Sequence, residues 1–237
     1  MNKIAIIYKK ELKNFFNSPV AYITLVVFLL IGGWFFTSTL FLINESDLRT
    51  LFQVIPIIYI FFIPAITMGL IAKERNDNTM EFLTTLPFDD KDIVIGKFLA
   101  ALSLIGTALL FTLVHFITLT VIGTNLDVGA LLSGYLGLFL VGGVYAAIGT
   151  FSSSVTNNQI TAFIISFLII FLFFMMDKIL FFVPGFMTSF LQFMSIDYHL
   201  SNISRGVIDS RNLIYFGSVI SFFLLISTRI LEIRKWR

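Results

Sequence analysis

Apolar residues in this chain come in long unbroken blocks, with polar positions gathered between them. The uncharged blocks span residues 20–43, 52–72, 98–122, 130–151, 160–176 and 213–228. Blocks of about 18 or more such residues mark membrane-spanning helices. At ~1.5 Å per residue the first five reach ~25–37 Å, enough for a hydrocarbon core of ~30 Å. The sixth is shorter and is expected to begin before Leu213, near Ile208. The pattern predicts an all-α integral membrane protein with six transmembrane helices in a single transmembrane domain over residues 1–237. The first block is too long for a signal-peptide core, and bulky Trp34, Phe35 and Phe36 stand where a cleavage site needs small residues, so helix one is expected to stay in place.

Three segments outside the blocks have their own character. Residues 1–19 wound as a helix put Ile4, Ile7, Tyr8, Leu12, Phe15 and Phe16 on one face and Lys3, Lys9, Lys10 and Lys13 on the other. That predicts an amphipathic helix on the lipid surface with its lysines toward anionic head groups; Ile6 and Glu11 break the pattern. Residues 73–97 hold ten of the chain's 30 charged side chains. Within them, Asn78 and Glu81 have the spacing of a capping box that would open a short helix ended by Pro87, presenting Phe82, Leu83 and Leu86 on one exposed face. Such a face suits docking into a groove on a soluble partner, or contact with lipid. Residues 177–211 contain two short apolar stretches around Pro184-Gly185, predicted to fold back as re-entrant or interfacial helices without crossing.

Charge fixes the expected orientation. Twelve Lys and Arg side chains fall in the N-terminal segment, the loop after helix two and the C-terminus, against four (Arg49, Lys178, Arg205 and Arg211) on the other side. The excess places both termini in the cytoplasm of a multi-pass protein, with the lipid bilayer as its first partner.

Composition adds mostly exclusions. The chain is 57% hydrophobic and 13% charged, about half the ~25% charge of soluble domains. The absence of cysteine rules out disulfides and thiolate metal sites. Gly96-Lys97 is followed by Phe98 rather than Ser or Thr and lacks an upstream glycine, so there is no Walker A loop. No catalytic or metal-ligating set emerges, no cofactor is expected on this chain, and nothing points to nucleic acid. His115 is the one ionisable group deep in a span, more simply explained by a hydrogen bond than by transport. His199, in the outer segment, has no metal-ligand partner nearby in sequence. Gly134, Gly137, Gly142, Gly143 and Gly149 thin helix four for close packing, and the polar run 152–159 is expected to be a linker.

The charged loop carries a resemblance. Glu74-Arg75, Thr79-Met80-Glu81-Phe82-Leu83, Leu86-Pro87 and Gly96-Lys97 resemble the loop after helix two in type-2 ABC transporter permeases. The resemblance implies that the short helix between Asn78 and Pro87 is a coupling helix contacting a separate ATPase subunit, which would hold ATP and Mg. It also implies a second permease subunit, identical or not, export as the direction, and the bacterial inner membrane as the location. A narrower likeness is to gliding motility-associated ABC permeases, through Pro64-Ala65-Ile66-Thr67-Met68, the 152–159 run, Asp197-Tyr198-His199 and Ser204-Arg205-Gly206-Val207-Ile208-Asp209. The alternatives are a non-transporting anchor for a cytoplasmic ATPase or motility complex, and an ion-driven secondary transporter. The latter would need charged or broken helices at mid-membrane.

Overall fold

A computed structural model describes residues 3–43, 48–80, 87–122, 127–180 and 184–234. The chain runs as α1 (Lys3–Asn17), α2 (Pro19–Ser38) with a π-helical turn at Thr39–Ile43, α3 (Arg49–Thr67), α4 (Ala72–Asn76) and α5 (Asp90–Ile122). It continues as α6 (Val128–Val155), α7 (Gln159–Ile179), α8 (Gly185–Met194), α9 (Ile196–Ile203) and α10 (Ser210–Arg234). Among the described residues, six helical stretches are long and apolar enough to cross a membrane: α2, α3 with α4, α5, α6, α7 and α10.

Local chemistry sets the helix starts. Ser18 accepts a hydrogen bond from the Val20 amide with Pro19 at the first helical position, so α1 and α2 are separate helices. Asp127 accepts from the Ala130 amide at 3.1 Å to open α6, and Asn158 accepts from Ile160 at 2.8 Å to open α7. Span three is longer than its uncharged block predicts. It begins at Asp90, with Asp90 and Asp92 in its first turn, where carboxylates complement the helix dipole. Lys91 and Lys97 therefore ride on a helix and not in a loop.

α6 is the hub, packed against α3, α5, α7, α9 and α10. Its glycines explain how. A Cβ at Gly134 would lie 2.1 Å from the Phe52 ring, and one at Gly149 would lie 1.9 Å from Thr67 Oγ1, so α3 passes where only glycine permits it. Gly137 receives Leu200 of α9, and Gly142 receives Ile105 of α5. The predicted 152–159 linker is largely absent as such: Ser152, Ser153 and Ser154 are buried turns of α6, which runs to Val155. By contrast only 17% of α7's apolar window is covered within the chain.

The segment after α7 is not one continuous helix. α8 and α9, ten and eight residues long, follow Pro184 and meet at Ser195, which caps α9 by accepting from the Tyr198 amide. Each is shorter than a span needs.

Candidate functional site

The end of the bundle that carries α1 is called the base. There α1 lies against the first turns of α5, with Gly96 as the contact point. A Cβ on Gly96 would sit 2.8 Å from Ile7 Cγ2, so the close approach needs glycine. Ile7 and Ile93 are buried in this seam, with Met80 and Phe88 packed on them. Those two residues flank the segment 81–86 on either side. Glu81, Phe82, Leu83 and Leu86 themselves lie outside the described residues, so the expected apolar face falls on chain about which the structure is silent.

A knot of four charges sits beside the seam. Lys97 is 1% exposed, and its Nζ lies 3.0 Å from Glu11 Oε1 and 2.9 Å from Glu74 Oε2. The first contact is a directed hydrogen bond; the second is ionic, since Glu74 Oε2 receives no hydrogen bond by angle. Lys10 closes the ring from the outside, donating to Glu74 Oε1 at 3.2 Å and standing 3.8 Å from Glu11. Two ammonium and two carboxylate groups make a formally neutral set, which is what allows them to leave water; an isolated ion would cost several kcal/mol to bury. The three elements they join are α1, α4 and α5. Tyr8 adds a hydroxyl contact to Ser103 of α5 at 3.0 Å. A cleft of about 580 Å³ opens over the knot, lined in part by Lys10, Glu11, Phe15, Lys73, Glu74 and Lys97.

The approach from span two is built by α6. Between α3 and α4 the helix loosens at residues 68–71, after Pro64. The amides of Ile71 and Ala72 donate to Ser153 Oγ at 2.9 Å each, and the same hydroxyl donates to the Met68 carbonyl at 2.9 Å. One side chain thus satisfies three backbone groups that the break releases, as an interrupted span requires. Arg75 donates to the Ser154 carbonyl, fixing α4 to the end of α6.

Asn78 does not open a helix. It has φ 54° and ends α4 in a Schellman motif: Thr79 N–H donates to the Glu74 carbonyl at 2.9 Å and Asn78 N–H to the Arg75 carbonyl at 3.1 Å. Asparagine tolerates the left-handed conformation, which is why its polar side chain misleads a capping-box reading. Thr79 also bonds the Glu74 carbonyl through its hydroxyl, and helical backbone resumes at Met80. Pro87 is exposed.

On α1, Lys3, Lys9, Lys10 and Lys13 are exposed, as expected, while Phe15 packs on the core and Phe16 stays exposed. The buried face differs from the predicted one. It is centred on Ile7 and Glu11, not on the Phe16 edge. Glu11, which breaks the amphipathic pattern, is the residue that ties the helix down. A lone acid on an apolar face and a lysine at the start of an apolar block were the signals available for it. Lys3 reaches Asp89 at 3.8 Å, but both side chains are exposed and such pairs contribute little.

At the opposite end, His199 is a structural residue. Its ring nitrogens meet Asn212 Oδ1 at 2.7 Å and the Phe193 carbonyl at 2.9 Å, and Tyr215 stacks on it at 3.9 Å. Among the described residues no cluster could hold a metal ion. Gly206, at φ 92°, turns the chain after α9 against Ala130. Pro184 caps α8 and Gly185 stands in open space. Arg205 lines an outer cavity with Lys178, which bridges Asp177 and Asp197. Burial lifts the Asp197 carboxyl above the ordinary carboxylate range while Lys178 pulls it back. His115, in α5, bonds the Thr112 carbonyl of its own helix through Nδ1 at 3.0 Å and packs on Phe36.

Five apolar spans and the glycine-rich hub α6, with a charged, helix-tied base, are the build of a multi-pass membrane protein. The profile of the ABC-2 family transporter proteins matches residues 5–206, and the chain belongs to that family. It is therefore an ABC transporter permease, the membrane component and not the ATPase, and its family works with an ABC ATPase subunit. The match is to the family as a whole and does not single out the gliding-associated subgroup. A comparison with curated proteins found no match.

Proposed function

We propose that this chain is the membrane half of an ABC exporter whose ATPase subunit docks at the base on residues 79–87, and that the four-charge knot carries the ATPase stroke into the spans. The observation that supports this is the placement of the knot. Glu74 lies in α4 before the docking segment and Lys97 in the second turn of α5 after it, and both are held to Glu11 or Lys10 of α1. A push on the segment then moves the end of span two, the start of span three and α1 together. ATP and Mg belong to the partner subunit, a second permease completes the pathway, and the base faces the cytoplasm of a bacterial inner membrane. The charge excess at the base supports that orientation.

The test is association with the ATPase encoded beside or co-purified with the chain. In a small interface a few large side chains dominate, each costing about 2 kcal/mol or more when truncated. Phe82→Ala with Leu83→Ala is expected to weaken ATPase binding at least ten-fold, a factor that needs only ~1.4 kcal/mol. Phe190→Ala, at the opposite end, leaves binding unchanged. Co-purification of the double variant at wild-type yield would remove residues 79–87 as the docking element.

A further inference from the structure

A cavity of about 860 Å³ opens at the end opposite the base, between α3, α7 and α9. Its volume falls in the ~300–1,000 Å³ range of sites that hold one small ligand. Its lining is graded. Along α3, Arg49, Gln53 and Ile57 line the cavity and Phe61 continues the same stripe at four-residue spacing. Over those 12 steps, ~18 Å of helix, the surface passes from guanidinium through amide to hydrocarbon. α7 runs alongside and adds Phe174 to the lining; further along the two helices the Phe61 and Phe167 rings pack 5.0 Å apart.

The charge at the polar end is also directional. Among the described residues, three cations (Arg49, Lys178, Arg205) and two carboxylates (Asp177, Asp197) line the cavity. Lys178 holds both carboxylates, at 3.3 and 3.0 Å, so the acids are turned toward it. Arg205, on the turn that ends α9, forms no ion pair among the described residues, and Ser201 and Ser204 stand beside it.

We infer that this cavity binds an amphiphile with a phosphate-bearing anionic head group, a phospholipid of the phosphatidylglycerol type. The phosphodiester lies at the Arg205 end, beside Ser201 and Ser204, and the acyl chain follows Ile57 toward Phe61. Arginine suits the head because its fork matches phosphate oxygens in pairs. The site lies at the far end from the charge knot, so this reading stands or falls apart from the coupling proposal.

Native mass spectrometry of the detergent-purified chain, titrated with phosphatidylglycerol, phosphatidylcholine or inorganic phosphate, tests it. Wild type is expected to bind phosphatidylglycerol at least ten-fold more tightly than phosphatidylcholine, and inorganic phosphate only weakly. Arg205→Gln lowers phosphatidylglycerol affinity at least ten-fold, Arg205→Lys retains most of it, and Arg211→Gln, an exposed cation nearby, changes nothing. Ile57→Asn weakens lipid binding without affecting inorganic phosphate. Lipid-free melting temperatures within a degree or two of wild type show that each variant is folded. Equal loss from Arg205→Gln and Arg211→Gln would mean nonspecific surface attraction, and would overturn the site. So would inorganic phosphate competing as well as the lipid, or binding indifferent to Ile57→Asn.

Discussion

Replacing Lys97 with Met isolates the charge knot, because the Met side chain keeps the length of the lysine stem and removes only the ammonium. The wild-type set is neutral; Lys97→Met leaves Glu11 and Glu74, 9% and 14% exposed, facing only Lys10 among the described residues. Breaking a buried pair by removing one partner costs about 3–5 kcal/mol, most of it the penalty for the stranded charge. Lys10 is 48% exposed and screened by water, so the expected loss is near the lower end, ~3 kcal/mol. For a chain of this size that corresponds to a fall of roughly 6–12 °C in apparent melting temperature. The assay is thermal unfolding in detergent of wild type, Lys97→Met, Glu11→Gln and the double variant. The double variant retains only the Lys10–Glu74 pair and is neutral again. It is therefore expected to recover at least ~2 kcal/mol relative to the sum of the singles, near the upper part of the range for contacting residues. If Lys97→Met melts with wild type, or the two single effects simply add, the four charges are not one energetic unit.

Gly149→Ala drives a methyl into Thr67 and is expected to cost about 1–3 kcal/mol, whereas Gly217→Ala, with open space around it, is neutral or stabilising by up to ~1 kcal/mol; melting curves separate them. Ser153→Ala strands the Ile71 and Ala72 amides and is expected to cost about 1–3 kcal/mol and to speed amide exchange at those two positions first. For orientation, single cysteines at Asn78 and Asn157, both exposed, are expected to resist an impermeant thiol reagent in intact cells while Ser189→Cys reacts. The native chain has no cysteine to confuse the result, and the opposite labelling would invert the topology.

The six spans are legible from sequence because burial in lipid selects for one property, uninterrupted apolarity, that survives without knowledge of neighbours. Their ends are less legible. Residues 90–97 are charged yet helical, since the third span extends past the lipid-compatible block and its Lys97 finds partners on α1 and α4. Ser152–Ser154 look like a linker because serine is polar, but each has a backbone carbonyl to bond within α6 or across to Met68. Asn78 shows the same ambiguity: one side chain can start a helix or end one, and only the chain path decides. The base itself was half visible. Its basic face follows from helical periodicity, but Glu11 draws its meaning from Lys97, 86 residues away, a distance no local pattern spans.

Two kinds of joint hold this molecule, and their chemistry matches where each sits. Inside the bundle, α6 meets α3, α5 and α9 at glycines, where packing is tight. Such contacts are short-ranged and give way over a fraction of an ångström. At the base, α1, α4 and α5 meet through four charges, whose attraction falls off gradually with distance and is strengthened by partial burial. A joint of that kind keeps its members together while the surfaces around them slide. An ATPase pressing on residues 79–87 would therefore displace the base as one piece, and the bundle would take up the movement at its glycine seams. Lys97→Met should then separate two quantities that are linked in the wild type: ATPase binding, which persists, and the stimulation of ATP hydrolysis by the permease, which falls. Loss of both together would place Lys97 in the docking surface itself and not in the linkage behind it.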